Sequence, residues 1–237
     1  MPTILCISAH AADYVWRAGG TLAKYAQEGN PVHVLVLSYG ERGESGELWK
    51  EPGQTEEKVK QVRRAESEAA AAALGVQVEF LDWGDYPLKL TDERIETLVL
   101  FIRKLRPQII ITHGHHDPFN PDHVDVAQAT LRAAVLAQSP GYRPEVPTVG
   151  PARIFGYEHH QPELSQFRPE AYIDITSSFD AKRKAMECFV AQKHLLEYYT
   201  MRANIRGNNA RRISGNNAYR YAEVFERYFP YVGEELI

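Results

Sequence analysis

The chain has 237 residues, 44% of them hydrophobic and 24% charged, with a formal net charge of −4. That balance suits a globular protein with a sizeable core, and the acidic surplus argues against a general nucleic-acid binder. With no apolar run of about 18 residues and no export signal, neither a membrane span nor secretion is expected, and the expected compartment is the cytoplasm.

Thr3–Ser8 is the first apolar, β-branched run, and it ends in a loop carrying His10 and Asp13. After a stretch of helical character comes a second run, Val32–Leu37, followed by "SYGERGES" with Glu41 and Glu44. The segment TEEKVKQVRRAESEAAAAALG, from Thr55 to Gly75, predicts a helix: it has a capping threonine, early glutamates, an alanine-rich interior and a glycine stop. Val76–Leu81 reads as a strand with Asp82 and Asp85 behind it, and Thr91–Lys104 as an amphipathic helix ended by Arg106-Pro107. Gln108–Thr112 is a fourth strand leading into "THGHHDPFNPDH", and Asp122–Leu136 a further helix. Gln138–Pro151 is a surface loop, Arg153–Tyr157 and Ala171–Asp174 are strands, and helix is expected from about Phe179 to Met201. "RGNNARRISGNNAY", rich in Gly and Asn, reads as a loop able to close over an anion or as an oligomer contact. Cys6 and Cys188 form neither a metal-ligand spacing nor a disulfide framework and read as buried thiols.

Strands alternating with helices predict a Rossmann-like α/β fold, a mostly parallel sheet flanked by helices, with residues 1–237 as a single domain. In such sheets ligands collect outside the carboxyl ends of the strands. Five His- or carboxylate-bearing loops fall at those ends, so that rim is the expected active site. His10 and Asp13 at i, i+3, followed by a distant His123, match a catalytic zinc site with three protein ligands and one open position. Each residue also has an ordinary role open to it: a strand-end histidine, a carboxylate on a helix dipole, a first-turn histidine. Their convergence is what favours the metal.

"AHAAD" after the first strand and "NPDH" after the fourth resemble the signature segments AHPDDE and HPDH of the LmbE-like (PIG-L) zinc de-N-acetylase superfamily, and the likeness runs through "RRAESEAAAAALG" to "YAEVFERYF". The resemblance implies that His10, Asp13 and His123 are metal ligands and that Asp122 is the carboxylate beside the last of them. Two positions depart from the pattern: the deacetylase general base falls on Ala12, and the first histidine of HPDH on Asn120. An alanine cannot take a proton from water, so amide hydrolysis lacks its base. "SAHAADYVWRAGG", "LSYGERGES", "DWGDYP", "HHDPFNPDH" and "EHHQPE" are more similar to a hydratase branch of the superfamily that acts on 4-oxalomesaconate, an unsaturated oxo-tricarboxylate of gallate and protocatechuate breakdown.

That likeness implies a zinc-dependent hydro-lyase with a small polycarboxylate as its partner, and an oligomer of identical chains. Hydration of a conjugated alkene needs an electrophile, a base for water and an acid for carbon. The expected catalytic residues are Glu44, His160 and Asp122, with Glu41 and His159 as rivals. Arg17, Arg42, Arg211 and Arg212 are the candidate carboxylate holders, with Asn120 beside them. The alternative is a deacetylase using Glu44 or Asp122 as its base.

Overall fold

A computed structural model describes residues 1–234. Seven strands form one sheet: β1 (Ile4–Ser8), β2 (Val32–Val36), β3 (Gln77–Phe80), β4 (Ile109–Thr112), β5 (Arg153–Tyr157), β6 (Ala171–Asp174) and β7 (Ala222–Arg227). Their order is β3-β2-β1-β4-β5-β7-β6. The first five are parallel, and β7 pairs antiparallel with both β5 and β6. The expected mostly parallel α/β sheet is therefore present.

A strand covered on both faces must be apolar on both, which is why β1 reads as a continuous apolar run. Ile4 and Cys6 pack on one side with α1 (Asp13–Gln27), α2 (Glu56–Leu74) and α5 (Phe179–Glu187). Leu5 and Ile7 pack on the other with α3 (Asp92–Leu105) and α4 (Pro121–Gln138). The α2 signals act as expected. The Thr55 hydroxyl accepts from the Lys58 amide at 3.3 Å, a cap worth about 1 kcal/mol, and Gly75 closes the helix with φ 74°.

The C-terminal third departs from the sequence reading. The expected helix from Phe179 to Met201 is two: α5 ends at Glu187, a 3-10 turn spans Val190–Gln192, and α6 runs Leu195–Ser214. The break is at Phe189, whose φ of −88° and ψ of 84° leave the helical region while its ring is buried in the core. The segment read as an anion-closing loop is helical as far as Ser214. Gly207 marks a close approach there: a Cβ would lie 2.1 Å from the Arg220 carbonyl oxygen that leads into β7. Cys6 is buried as expected, whereas Cys188 is only partly so. Among the described residues no helix is long and apolar enough to cross a membrane.

One buried ion pair fixes α1, the helix that carries Asp13 and Arg17. Glu223 of β7 accepts from the Gly20 and Thr21 amides at 2.9 and 2.7 Å, and Lys182 of α5 reaches Glu223 at 2.6 Å and the Trp16 carbonyl at 2.8 Å. Both charges find several partners, the condition under which a buried pair is tolerated.

Candidate metal centre and active-site cleft

The chain leaves β1 and folds back at once. The Asp13 carboxylate, in the first turn of α1, accepts from the His10 amide at 2.8 Å and so fixes the spacing of the pair. His123, in the first turn of α4, comes in from the end of β4, and Glu44 from the loop after β2. One ligand atom from each of His10, Asp13, Glu44 and His123 lies within 4.8 Å of the others.

The separations fit an ion. His10 Nδ1 lies 3.2 Å from Asp13 Oδ2 and 3.2 Å from Glu44 Oε1; His123 Nε2 lies 3.3 Å from His10 Nδ1, 3.4 Å from Asp13 Oδ1 and 3.7 Å from Glu44 Oε1. Ligands bound tetrahedrally at about 2.0–2.1 Å would be about 3.3–3.4 Å apart. Two imidazoles and one or two carboxylates are also a donor set that zinc accepts. Glu44, expected to work away from the metal ligands, stands at the fourth corner.

Electrostatics tie the group together. Burial opposes a charge on either histidine, yet Glu44 and Asp13 hold His10 well above its usual range, and Asp13 and Asp117 hold His123 up at about 9. Burial likewise opposes ionisation of the carboxylates, but His123 and the other nearby cations hold Asp13 well below its ordinary value, and His10 does the same for Glu44. The facing carboxylates favour protons on the imidazole pair, and a cation bound at the same point would displace them.

Each imidazole is held from behind. His10 Nε2 faces Asp122 Oδ2 at 3.4 Å, and Asp122 is fixed by the Tyr86 and Leu88 amides at 2.9 and 3.0 Å. His123 Nδ1 lies 2.8 Å from Asp117 Oδ2. Arg17 Nη1 is 3.2 Å from the same nitrogen, but a guanidinium only donates, and with Nε2 turned to the ligand group Nδ1 carries the hydrogen that Asp117 accepts. Asp122, expected among the catalytic residues, is thus occupied in orienting His10. Asp117 was not anticipated: one carboxylate in a polar loop, six residues before His123, carries no distinguishing sequence signal. His113, also unanticipated, stacks on His123 at 4.1 Å; its Nε2 accepts from the Ala9 amide at 2.9 Å and lies 2.8 Å from the Tyr157 hydroxyl, and burial pushes its pKa well below the usual range.

The group opens into a cleft of about 310 Å³ whose lining includes Arg17, Glu44, Tyr86, Phe119, Asn120, His160, His194 and Tyr199. That volume suits a small ligand. The rivals are separated by position. Glu41 is wholly buried, accepts from the Tyr39 amide at 3.2 Å and does not line the cleft, whereas Glu44 does. His159 is buried with Nδ1 on the Ser165 hydroxyl at 2.8 Å, and His160 faces the cleft. Asn120 donates to Glu44 Oε1 at 3.2 Å.

Of the four arginines proposed from sequence, only Arg17 lines the cleft. Arg42 turns outward to Glu56 at 3.1 Å; Arg211 bonds the Tyr219 carbonyl at 2.7 Å near the far end of α6; Arg212 is one residue further along the same helix and exposed. Sequence proximity to Glu44 misled for Arg42, because the chain turns between them: the Arg42 amide and guanidinium are held by Asp85 and Glu56, while Gly43 and Glu44 line the cleft. Ala12 is fully buried at the N-cap of α1, with no side-chain cap.

Comparison with known proteins places the chain in a family. The family model for PIG-L, GlcNAc-PI de-N-acetylase, matches residues 5–134. A 4-oxalmesaconate hydratase of Pseudomonas putida is 43% identical over 98% of this chain and 91% of its own length. The crystal structure of GalB, the 4-carboxy-2-hydroxymuconate hydratase from P. putida KT2440, superposes with a TM-score of 0.96 at 42% identity and covers 100% of both chains. An N,N'-diacetylchitobiose deacetylase from Pyrococcus horikoshii shares the fold at a TM-score of 0.79 and 22% identity, over 95% of this chain and 83% of its own. The chain belongs to the PIG-L (GlcNAc-PI de-N-acetylase) family.

Proposed function

We propose that this protein is a zinc-dependent hydratase that adds water across the conjugated double bond of 4-oxalomesaconate or a similar unsaturated oxo-polycarboxylate. The observation that carries the proposal is a ligand group kept intact beside an alanine, Ala12, where family deacetylases place their base. The full-length likeness in sequence and in structure to P. putida hydratase supports it, since the two substrate names describe keto and enol forms of one tricarboxylate skeleton. The proposal takes residues 1–237 as one domain working in the cytoplasm as a homo-oligomer.

His10, Asp13 and His123 would hold the ion, which when bound would supply Lewis acidity, making a nearby water easier to ionise and a conjugated carbonyl more electron-poor. Glu44 is the carboxylate aimed at the same point, so it takes the proton from the attacking water. His160, across the cleft, gives a proton to the carbon that becomes nucleophilic as oxygen adds. Burial and Arg17 lower the His160 pKa, which makes its protonated form a stronger acid; substrate carboxylates entering the cleft offset Arg17 and favour that form.

Arg17 is suited to hold a substrate carboxylate. Its side chain is nearly buried, its closest carboxylates, Asp13 and Asp117, stand at 3.7 and 3.9 Å, beyond hydrogen-bond range, and Nε has no partner. Asn120 keeps Glu44 in place. The test is to supply the zinc-loaded protein with 4-oxalomesaconate and, separately, with an N-acetylglucosaminide. Loss of the conjugated absorbance with no acetate released is the expected result; acetate release without hydration would make the protein a deacetylase.

A further inference from the structure

Helix α6 does more than close the cleft. Four of its side chains grip the loop after β5 that carries His160. Arg202 reaches Glu163 at 2.5 Å and Glu158 at 2.6 Å, and Arg206 reaches Glu158 at 2.8 Å. The Tyr198 hydroxyl accepts from the Gln161 amide at 3.1 Å, and the Tyr198 ring packs on the His160 imidazole at 4.5 Å. The fourth grip falls on the imidazole itself, where the Tyr199 hydroxyl lies 3.5 Å from His160 Nδ1.

Tyr199 is itself immobilised. Its ring stacks on Trp16 at 5.4 Å, and Trp16 is tied to Gln192 at 3.3 Å. The Arg17 guanidinium lies beside the Tyr199 oxygen. A protonated imidazole only donates, so toward that form of His160 the Tyr199 oxygen accepts from Nδ1–H. Tyr199 thus links the arginine proposed to hold a substrate carboxylate to the histidine proposed as acid.

We infer that Tyr199 is a positioning residue for His160: its hydroxyl holds Nδ1 and leaves Nε2 as the nitrogen that hands a proton to the substrate. The inference rests on the acid role proposed for His160. In the protonated imidazole both nitrogens carry hydrogen. As the substrate carbon forms its new C–H bond with the electron pair of its enolate, the Nε2–H bond breaks and its pair stays on nitrogen. Nδ1 keeps its hydrogen on Tyr199 throughout, so the ring neither flips nor changes tautomer between turnovers.

Two single variants and their combination test the inference. Tyr199→Phe keeps the ring stacked on Trp16 and removes only the hydroxyl. The expected result is a fall in kcat of about tenfold or more, part of the 10²–10⁴ that an acid supplies, with KM within about twofold and zinc content unchanged. In a His160→Asn background the same change should cost nothing further, because the residue through which it acts is gone. Full kcat in Tyr199→Phe, a loss confined to KM, or an equal loss in both backgrounds would overturn the inference while leaving His160 as the acid. Parent-like turnover in His160→Asn would instead remove the acid role on which the inference depends.

Discussion

The bond from Asp117 to His123 is the contact on which the metal centre depends most among those the sequence did not reveal. The two side chains are each 1% exposed and meet at 2.8 Å. Asp117→Asn keeps the shape and removes the charge, turning a charge-assisted bond into a neutral one of about half the strength. The asparagine can also present its amide hydrogens to Nδ1, which would move the imidazole hydrogen to Nε2 and block ligation. Changes to such outer partners typically cost about 10–100-fold in metal affinity, equivalent to about 1.4–2.7 kcal/mol. Competition against a chromogenic zinc chelator measures it, with the melting of the metal-free protein as a control on folding. His123→Ala should retain no zinc, setting the scale. Asp117→Asn binding zinc as tightly as the parent would refute the placement of the hydrogen on Nδ1 and the role given to Asp117.

Glu44→Gln should retain the fold and most of the zinc while turnover drops about 10²–10⁴-fold; loss of the ion by elemental analysis would make Glu44 a required fourth ligand instead. Ala12→Asp places a good N-cap residue at the start of α1, so the fold should survive, but it sets a second negative charge beside Asp13. At about 4 Å and an effective dielectric of 20 that charge repels a substrate carboxylate by about 4 kcal/mol, roughly a thousandfold in kcat/KM, and unchanged hydration kinetics would show that Ala12 is remote from the substrate. Zinc uptake should depend steeply on pH. A ligand whose metal-free pKa is raised, as that of His123 is to about 9, must lose a proton to bind, so affinity rises with pH until that value is passed and falls as pH drops. Between about pH 6 and 8 the gain should reach at least tenfold per unit, and a flat response in zinc titrations would contradict the raised His10 and His123.

Much of the fold is legible because its signals are local. β1, β2 and β4 are apolar on both faces, and α2 is marked by Thr55 and Gly75. The misread parts depend on long-range contacts. Nothing near Phe189 is a glycine or proline, and the chain breaks there to bury the ring. Gly207, Asn208 and Asn209 look like a turn yet are helical, because the helix must pass close to the backbone at Arg220. β7 carries Glu223, Glu226 and Arg227 among its six residues with no clean apolar alternation, and Glu223 is buried only because Lys182 and two α1 amides meet it. The site divides the same way. His10, Asp13 and His123 are announced by spacing and strand ends, and Glu44 and His160 by their loops. Asp117, Tyr199 and the outward turn of Arg42 depend on how separate elements meet, which no single stretch encodes.

The central claim is that an intact metal centre beside an alanine performs hydration. It is tested most directly by letting the zinc-loaded protein convert 4-oxalomesaconate in ¹⁸O-labelled water and weighing the product. Substrate plus one labelled water, formed only with the ion present and lost on chelation, is the predicted result. An unchanged substrate mass in the presence of zinc, or equal conversion after the ion is stripped, would contradict the claim.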